Sequence, residues 1–331
     1  MTERGNELVE LLTQHDHSYY VLDDPRITDP EYDDLKRELD ALDPDNPYLG
    51  SVGADVSSTD FVKQAHRSPM LSLRNAFTPE EVLVWAARWP GATFVISPKM
   101  DGLALSLIYE KGTGEMLHAV TRGDGTMGEL VTGNARVVDD IPNLALYPSP
   151  VDHEVRGEVH MKKAVFERLK AAGEFKNIRA AAAGGMRRKE PEESARAQLS
   201  FVAYDYIRAD GTPMDETTKR AFAREHGHKY VALIRTTAEH ITDHIEAFTA
   251  RREQYPYAID GLVFSLEDAE LLSRAGSDDK APRGKIAYKF PAEQKTTMPA
   301  SQARSTASTS GSIDGASKIG WPSDMLITRM P

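Results

Sequence analysis

Lys99 could act as a nucleophile if its surroundings hold the amine uncharged. It opens the segment Lys-Met-Asp-Gly at 99–102, which lies between two apolar, strand-like segments. A free lysine has a pKa near 10.4, so only about one in a thousand is neutral near pH 7.4. Nearby cations or burial must lower that pKa before the amine can attack an electrophile. A short pattern of this kind also fits a surface lysine in a hairpin.

Several other basic residues lie in segments that suggest contact with an anion. They are Arg122, Arg156, Arg179, Arg187, Lys285 and Lys289. Arg122 lies in a turn between glycines, where the backbone can approach a ligand closely. Lys285 and Lys289 have the same parity in one predicted strand, so their side chains share a face. Each residue alone fits a solvated surface charge, but together they indicate an anionic ligand beside Lys99.

A third group combines aromatic rings with carboxylates near the N-terminus. Its members are Tyr19, Tyr20, Asp29, Pro30, Glu31, Tyr32 and Asp33. Acids at the start of a helix stabilise it against its dipole, which would explain the group without a ligand. Stacking and charge could instead make it a platform for a cationic aromatic ring. Composition alone leaves both interpretations open.

Hydrophobic periodicity and turn signals predict the elements that position these residues. The helices predicted are 3–18, 31–42, 78–89, 162–172, 217–227 and 239–253. The strands predicted are 93–97, 103–109, 116–121, 199–207, 259–266 and 285–290. Residues 50–65 are polar and aperiodic, which predicts a linker. Because helices and strands do not alternate regularly, the pattern predicts the α+β class.

Composition excludes several classes of protein. The 331 residues include 40 Lys and Arg against 51 Asp and Glu, a net charge of −11. No apolar run approaches the roughly 20 residues of a membrane helix, and no secretory signal is visible at the N-terminus. We therefore expect no membrane partner. The absence of cysteine excludes disulfides, thiol nucleophiles and cysteine-ligated zinc. A local basic face can still bind phosphates.

The order of segments along the chain resembles the NAD-dependent DNA ligases of bacteria and some viruses. The matching strings are YYVLDDPRITDPEYDDLKREL, HRSPMLSLRNAF, PKMDGLALSLIYEKG, TRGDGTMGELVTGNAR, EVRGEVHM, KNIRAAAAGGMRR, IDGLVFSL and APRGKIAYKFPAE. The resemblance implies a small helical domain that binds nicotinamide mononucleotide (NMN), with a linker, over 1–62. It implies an ATP-grasp-like nucleotidyltransferase domain of antiparallel sheets with flanking helices over 63–293. Residues 294–331 are rich in Ser and Thr, which predicts a disordered tail.

The resemblance implies a three-step reaction with NAD as the nucleotide and Mg²⁺ as the metal. Lys99 would attack the α-phosphate of NAD and expel NMN, leaving a lysine–AMP phosphoramidate. The AMP would pass to the 5′-phosphate of a nick in duplex DNA, and the 3′-hydroxyl would then expel it. Nicked duplex DNA is thus the implied partner. We expect a monomer in the bacterial cytoplasm, or in the host cytoplasm if the source is viral.

The resemblance also implies a role for each group of residues. Lys99 is the nucleophile and Asp101 supports it. The residues implied to contact the adenylate and its phosphate are Ser72, Leu73, Arg122, Glu158 and Lys289. The residues implied to hold NMN are Tyr19, Tyr20, Asp29, Pro30, Glu31, Tyr32 and Asp33. Arg179 and Arg187 match family arginines that act in the later, DNA-bound steps.

Two residues depart from the family pattern. Ser97 stands where the family has a glutamate that contacts adenine, an exchange that costs on the order of 1 kcal/mol. Ser265 stands where a lysine should position the phosphate and lower the pKa of the nucleophile. Lowering a lysine pKa by about three units takes about 4 kcal/mol. We hypothesise that Lys285, on the same strand face as Lys289, partly replaces the missing charge.

Other functions remain open at this stage. Ser97 and Ser265 are compatible with a degenerate homologue that binds NAD or DNA ends without catalysis. An ATP-dependent nucleotidyltransferase, such as an RNA ligase or capping enzyme, shares the pattern at 99–102, although the Tyr/Asp-rich N-terminal segment argues against it. From the resemblance we expect this sequence to lack the family's OB-fold and later domains. We therefore expect self-adenylation to survive better than complete nick sealing.

Overall fold

The computed structural model describes residues 3–16, 18, 26–27, 29–50, 61–173, 175, 177–278 and 281–291. The predicted disordered tail, Tyr19, Tyr20 and most of the predicted linker lie outside these residues. The helices are α1 (Glu3–Asp16), α2 (Asp29–Leu42), α3 (Pro79–Ala86), α4 (Thr132–Ala135), α5 (Lys163–Ala171), α6 (Ile178–Met186), α7 (Pro191–Arg196), α8 (Glu216–Glu225), α9 (Ile241–Arg251) and α10 (Ala269–Ala275). The strands are β1 (Lys63–Ala65), β2 (Asn75–Ala76), β3 (Phe94–Met100), β4 (Leu103–Tyr109), β5 (Met116–Thr121), β6 (Met127–Glu129), β7 (His153–His160), β8 (Ser200–Arg208), β9 (Ile234–Thr236), β10 (Ile259–Leu266) and β11 (Lys285–Lys289).

An N-terminal helical pair precedes the sheets. Leu8 and Leu12 of α1 and Leu39 of α2 are fully buried against one another. Their helical spacing places them on facing stripes of the two helices. The helical N-terminal part predicted from the sequence is confirmed, while the domain boundaries after residues 62 and 293 stay predictions.

Two main sheets follow. The five-stranded sheet has the order β2-β11-β10-β3-β9, and the four-stranded sheet has the order β5-β4-β7-β8. Neighbouring strands are antiparallel except β11 and β2. With helices packed beside these sheets, the predicted α+β class is confirmed.

The corner between β3 and β4 carries the chain from one sheet to the other. β3 pairs with β9 and β10, whereas β4 pairs with β5 and β7. Lys99 is therefore not in a hairpin, because the two strands that flank it are not partners. Gly102 is required at this corner, since a β-carbon there would lie 2.0 Å from the carbonyl oxygen of Val159.

Replacing Gly102 with alanine is expected to destabilise the protein by about 2 kcal/mol or more, because backbone must shift to admit the methyl group. Thermal unfolding should show a lower midpoint. Gly112→Ala is the matched control. Gly112 has a φ of +75° and no atom within 4 Å of an added β-carbon. Its alanine variant should therefore lose only about 1 kcal/mol of unfolding free energy, from backbone strain. Equal losses for the two variants would contradict the close approach at the corner.

The helix predicted over 78–89 begins at the predicted position. The side chain of Thr78 accepts a hydrogen bond from the backbone N–H of Glu81, and Pro79 occupies the first turn. The helix ends at Ala86 rather than at residue 89. Trp85 packs on Phe94 of the five-stranded sheet with ring centroids 5.3 Å apart, so the helix covers the outer face of that sheet.

The predicted linker over 50–65 is wrong at its end. Lys63–Ala65 forms β1 and pairs with β6 in the register Lys63 to Glu129. Three residues without apolar alternation give no strand signal, because only the long-range partner stabilises them.

Four helices were also not predicted, namely α4, α6, α7 and α10. Each is ten residues or shorter, which leaves little periodicity to detect.

The core cluster on the four-stranded sheet consists of side chains from β4, β5, β7 and β8 together with helices α4, α5, α6 and α8 and nearby loops. No residue of the five-stranded sheet belongs to this cluster. Apolar contact is therefore concentrated on the outer faces of the two sheets.

Within the described part of the chain, no helix has the length and apolar character needed to span a bilayer.

Candidate active site

A cavity of about 500 Å³ lies between the two sheets and is also lined by the N-terminal helical pair. The predicted site residues that line it are Tyr32, Asp33, Ser72, Leu73, Ser97, Lys99, Arg122, Glu158, Arg179, Arg187, Ser265, Lys285 and Lys289. The structure thus brings together residues that are up to 257 positions apart in the sequence.

Lys99 and Lys289 lie on either side of Gly261. Gly261 of β10 pairs with Lys99 of β3 and with Lys289 of β11. The carboxylate of Asp260 accepts a hydrogen bond from each amine through Oδ2, at 3.0 Å from Lys99 and 2.9 Å from Lys289. These two ammonium groups outweigh burial and hold the pKa of Asp260 below its usual range. One other cation, Lys289, and one anion, Asp260, therefore lie beside the candidate nucleophile.

Asp260 was missed by the sequence analysis although it lies in the quoted string IDGLVFSL. Regular alternation places Asp260 on the opposite face from Gly261 and Ser265. The register between β10 and β3 shifts between Ile259 and Gly261, which makes Asp260 the extra residue of a β-bulge. A bulge re-aims a side chain, and here it turns the carboxylate toward the cavity. The Asp-Gly pair was the available signal, since glycine in a strand often marks a bulge.

The two arginines assigned to later steps are each held by a carboxylate. Arg179, in the first turn of α6, donates to Oδ1 of Asp101 at 2.7 Å. Arg187, just after α6, donates to Oε2 of Glu129 at 2.7 Å. Glu129 is fully buried. Asp101 therefore contacts Arg179 at the corner beside Lys99, and α6 sets the spacing of the two guanidinium groups.

Arg122 and Glu158 lie on the wall formed by the four-stranded sheet. Arg122 starts a turn in which Gly123 and Gly125 have φ values of 57° and 90°, as expected for glycine. Burial raises the pKa of Glu158 to about 7, and the positive charges of Arg179 and Lys99 oppose that rise. Glu158 therefore changes charge near neutral pH.

The loop that carries Ser72 and Leu73 is held by Arg156. Its guanidinium donates to the backbone oxygens of Pro69 at 3.0 Å and Ser68 at 2.7 Å. It also donates to Glu154 at 2.6 Å. Because three contacts occupy this guanidinium, Arg156 acts in the structure as a support for the loop.

The N-terminal pair contributes Tyr32 and Asp33 to the cavity. Tyr32 donates to Asp16 at 2.8 Å, and Tyr48 donates to the other oxygen of Asp16 at 2.6 Å. Asp33 lies 3.8 Å from the Lys289 amine. Asp16 also lines the cavity and was not predicted.

The other N-terminal candidates are not all brought to the cavity. Glu31 is exposed and is not among the lining residues. Tyr19 and Tyr20 lie outside the described residues, and the side chains of Asp29 and Pro30 are likewise not described.

Ser265 is not beside Lys99. It pairs with Lys285 on one side and Val95 on the other, four residues along β10 from Gly261. Four residues of strand span about 13 Å. Lys285 therefore occupies the same row as Ser265, but both lie at the far end of the cavity from the nucleophile. A charge in that row is therefore separated from Lys99 by about 13 Å of strand.

The residues around Lys99 can accommodate Mg²⁺ only together with phosphate. The described residues contain no group of three or more His, Asp or Glu arranged for a metal. Magnesium is commonly held by one or two carboxylates plus substrate phosphates. Oδ1 of Asp260 is buried with no hydrogen-bond partner among the described residues, so it is the oxygen that could serve as such a ligand. The chain has no cysteine for a zinc site of the Cys-ligated type.

Comparison with protein families gives two matches that cover most of the chain. Residues 58–293 match the NAD-dependent DNA ligase adenylation domain. Residues 1–54 match the DNA ligase-like, N-terminal NAD⁺-binding domain. These matches agree with a cavity that is lined both by the sheets and by the N-terminal helices.

Curated relatives carry the name DNA ligase. One from Chloroflexus aurantiacus is 37% identical over 346 residues, which cover 90% of this chain and 46% of the relative. One from Marinobacter nauticus is 40% identical over 325 residues, which cover 89% of this chain and 47% of the relative. The chain spans about half the length of these relatives.

Among solved structures, an archaeal ATP-dependent RNA ligase matches with a TM-score of 0.42 and 15% identity, covering 67% of this chain and 48% of that chain. That similarity is too weak to support an inference. The match over 58–293 is decisive, since it spans more than half of the sequence and includes Lys99 with its surrounding strands. The chain belongs to the NAD-dependent DNA ligase adenylation-domain family.

Proposed function

We propose that this chain transfers an adenylyl group from NAD to Lys99 and then to the 5′-phosphate of nicked duplex DNA, so that the 3′-hydroxyl can close the nick. The observation that carries the proposal is the position of the Lys99 amine. It lies in the cavity between the two sheets, beside the cation Lys289 and the anion Asp260. An amine flanked in this way can meet a phosphate that a second cation holds in place.

In the first step the Lys99 nitrogen forms a bond to the α-phosphorus, and the bond from that phosphorus to the bridging oxygen breaks. NMN leaves with the electron pair of the broken bond. The amine must be neutral to attack, so the ammonium form first loses a proton to solvent. Asp260, which accepts a hydrogen bond from the amine at 3.0 Å, orients the amine for the attack. Lys289 is positioned to neutralise charge that develops on the phosphate oxygens.

Other lining residues would each contact a different part of the substrate. Arg122 and Glu158 would contact the adenylate from the four-stranded sheet. Tyr32 and Asp33 would hold NMN, because an aromatic ring and a carboxylate suit a cationic nicotinamide ring. Mg²⁺, held by the phosphates and Asp260, would reduce the negative charge that repels the nucleophile.

Arg179 and Arg187 are proposed to serve the DNA-bound steps. Both line the cavity, and both are engaged by carboxylates, Asp101 and Glu129. A phosphate of nicked DNA competes for the same guanidinium donors, since arginine binds phosphate and carboxylate with similar geometry. We propose a role in DNA replication and repair in the bacterial cytoplasm, with the chain acting as a monomer.

Intact-mass measurement tests the proposal. Incubation with NAD and Mg²⁺ should add one adenylyl group, and peptide mapping should place it on Lys99. Lys99→Met should carry no adduct, while Lys111→Met, at an exposed turn, should be modified like the parent chain. Incubation with ATP and Mg²⁺ should give no adduct. An adduct on another residue, or one that forms only from ATP, would contradict the assignment.

A degenerate homologue that binds NAD or DNA ends without catalysis is the second candidate. It is favoured by Ser97 and Ser265, which stand where the family pattern has charged residues. The same experiment distinguishes it, because such a protein would bind NAD in an equilibrium measurement and never become adenylylated.

A further inference from the structure

The cavity wall formed by β3, β10 and β11 is a grid of three rows. Side chains at alternate positions of paired strands share one face, and successive rows lie about 7 Å apart. The first row is Lys99, Gly261 and Lys289; the second is Ser97, Val263 and Ala287; the third is Val95, Ser265 and Lys285. Two cations therefore lie in the first row and one in the third, with small or apolar side chains between them.

The third row continues into a cluster of charges from β8 of the opposite sheet and from helix α8. The Lys285 amine lies 2.8 Å from Oε1 of Glu216 and 3.9 Å from Oδ2 of Asp205. A second amine, that of Lys219, lies 2.9 Å from Oδ1 of Asp205. The hydroxyl of Ser265 donates to Glu216 at 3.3 Å. Two positive and two negative groups are thus held in one partly buried network.

A β-bulge places Asp205 in this network. Phe201 and Ala203 of β8 face the core cluster of the four-stranded sheet, and regular alternation would put Asp205 there too. The register with β7 skips Tyr204. Beyond the skip, Tyr206 faces the core, while Asp205 lines the cavity.

This network is poorly explained as a stabilising feature. The side chains of Lys285, Asp205 and Glu216 are 17%, 19% and 4% exposed. Removing paired charges from water is costly, and apolar side chains of similar volume often stabilise such a position as well or better. The three residues and Ser265 all line the cavity, so a polar ligand that meets them would account for their presence.

The proposed function identifies which part of a ligand reaches the third row. The phosphate attacked by Lys99 lies at the first row. The NMN half lies toward Tyr32 and Asp33, and Asp33 is 3.8 Å from the Lys289 amine of that same first row. The adenosine half must then extend along the strands, over the second row toward the third. The far edge of its base carries a 6-amino donor and ring-nitrogen acceptors.

We infer that Lys285 and Asp205 form a base-reading pair at the far end of the cavity, with Lys285 donating to a ring nitrogen and Asp205 accepting from the 6-amino group. This inference rests on the proposed function. Glu216 and Ser265 position Lys285, and Lys219 positions Asp205 from behind. The third-row lysine therefore sets nucleotide specificity rather than the reactivity of Lys99.

Kinetics with two dinucleotides tests the inference. The probes are NAD and nicotinamide hypoxanthine dinucleotide, in which a carbonyl oxygen replaces the 6-amino group. The parent chain should prefer NAD by about tenfold or more in kcat/KM for adduct formation. Asp205→Asn should reduce that preference to near unity, because the amide can present either a donor or an acceptor. Lys285→Met should raise KM for NAD about tenfold or more and change kcat little.

A control separates base reading from a structural role. A variant that is merely destabilised loses rate equally with both dinucleotides, so its preference for NAD stays at the parent value. Such an unchanged preference in Asp205→Asn and Lys285→Met would overturn the inference, as would a fall in kcat without a change in KM. Lys111→Met, remote and exposed, should match the parent chain in both constants.

Equilibrium binding distinguishes failure of this inference from failure of the proposed function. AMP and IMP are the probes, and neither requires chemistry at Lys99. Tighter binding of AMP than of IMP, lost in Asp205→Asn, would support the base-reading pair even if no adduct ever formed. Equal binding of the two nucleotides to the parent chain would overturn the pair while leaving adenylation of Lys99 intact.

Discussion

Asp260→Asn is expected to slow adduct formation from NAD by about 100-fold or more with little change in fold. The carboxylate accepts hydrogen bonds from both Lys99 and Lys289 through one oxygen. The neutral amide leaves the two ammonium groups close together without their shared anion, so both side chains reorient. The family match does not by itself predict this loss, whereas the shared hydrogen bonds do.

The measurement is the single-turnover rate of adduct formation by intact mass, together with the thermal unfolding midpoint. Asp139→Asn is the matched control, because Asp139 is exposed and should keep the parent rate. Asp260→Glu should not restore activity, since the longer side chain displaces the carboxylate from the bulge. Adduct formation by Asp260→Asn at the parent rate would show that the bulged carboxylate does not orient Lys99.

Mild acid is expected to destabilise the protein through a buried histidine cluster on the four-stranded sheet. His153 is fully buried and stacks between Tyr109 and Tyr206, with both pairs of ring centroids 5.1 Å apart. Its ring centroid lies 4.6 Å from that of His226. Burial lowers the pKa of His153 to about 4 and that of His228 to about 3. The folded protein therefore keeps these rings neutral where an unfolded chain, with a pKa near 6.5, binds protons.

The direction of the effect follows from that difference. Above pH 6.5 neither state is protonated and the stability is complete. As the pH falls from 6.5 toward 4, the unfolded chain gains protons that the folded chain does not, so the free energy of unfolding decreases. For His153 alone the loss corresponds to about 3 kcal/mol.

Denaturant unfolding between pH 7 and pH 4 measures this loss. His153→Phe keeps an aromatic ring in the stack and should reduce the loss by about 2 to 3 kcal/mol. His118→Gln is the control, because His118 is exposed on β5 and should leave the pH profile unchanged. An identical profile for His153→Phe and the parent chain would mean that the stacked ring does not control the acid response.

Periodicity in the sequence was sufficient to predict β3, β10 and β11, which form one wall of the site, whereas β7, which carries Glu158, was not among the predicted strands. Parity alone put Lys285 and Lys289 on one face, and both line the cavity. This works because side chains of a regular strand alternate without exception. The same rule fails at Asp260 and Asp205, since each lies at a bulge whose position depends on pairing with a distant strand.

The sequence also did not predict which side chains bind backbone atoms that are distant along the chain. Arg156 had the same appearance as Arg122 in the sequence, as a basic residue beside a glycine. In the structure both line the cavity, but Arg156 holds the loop at Ser68 and Pro69, whereas Arg122 begins a turn with positive φ values. The partners of a guanidinium depend on which loops the fold brings near it, and local sequence does not encode that proximity.

The separation of the two sheets has a mechanical consequence. The core cluster of the four-stranded sheet contains no residue of the five-stranded sheet, and the cavity lies where they face each other. A dinucleotide bound there as proposed would contact both walls and so would link the two sheets. A ligand that binds only the folded state increases the free energy of unfolding as its concentration rises above its dissociation constant. When the ligand binds, protection of backbone amides from hydrogen exchange should therefore rise on both walls at once. The chain passes directly from one wall to the other at the corner that contains Gly102.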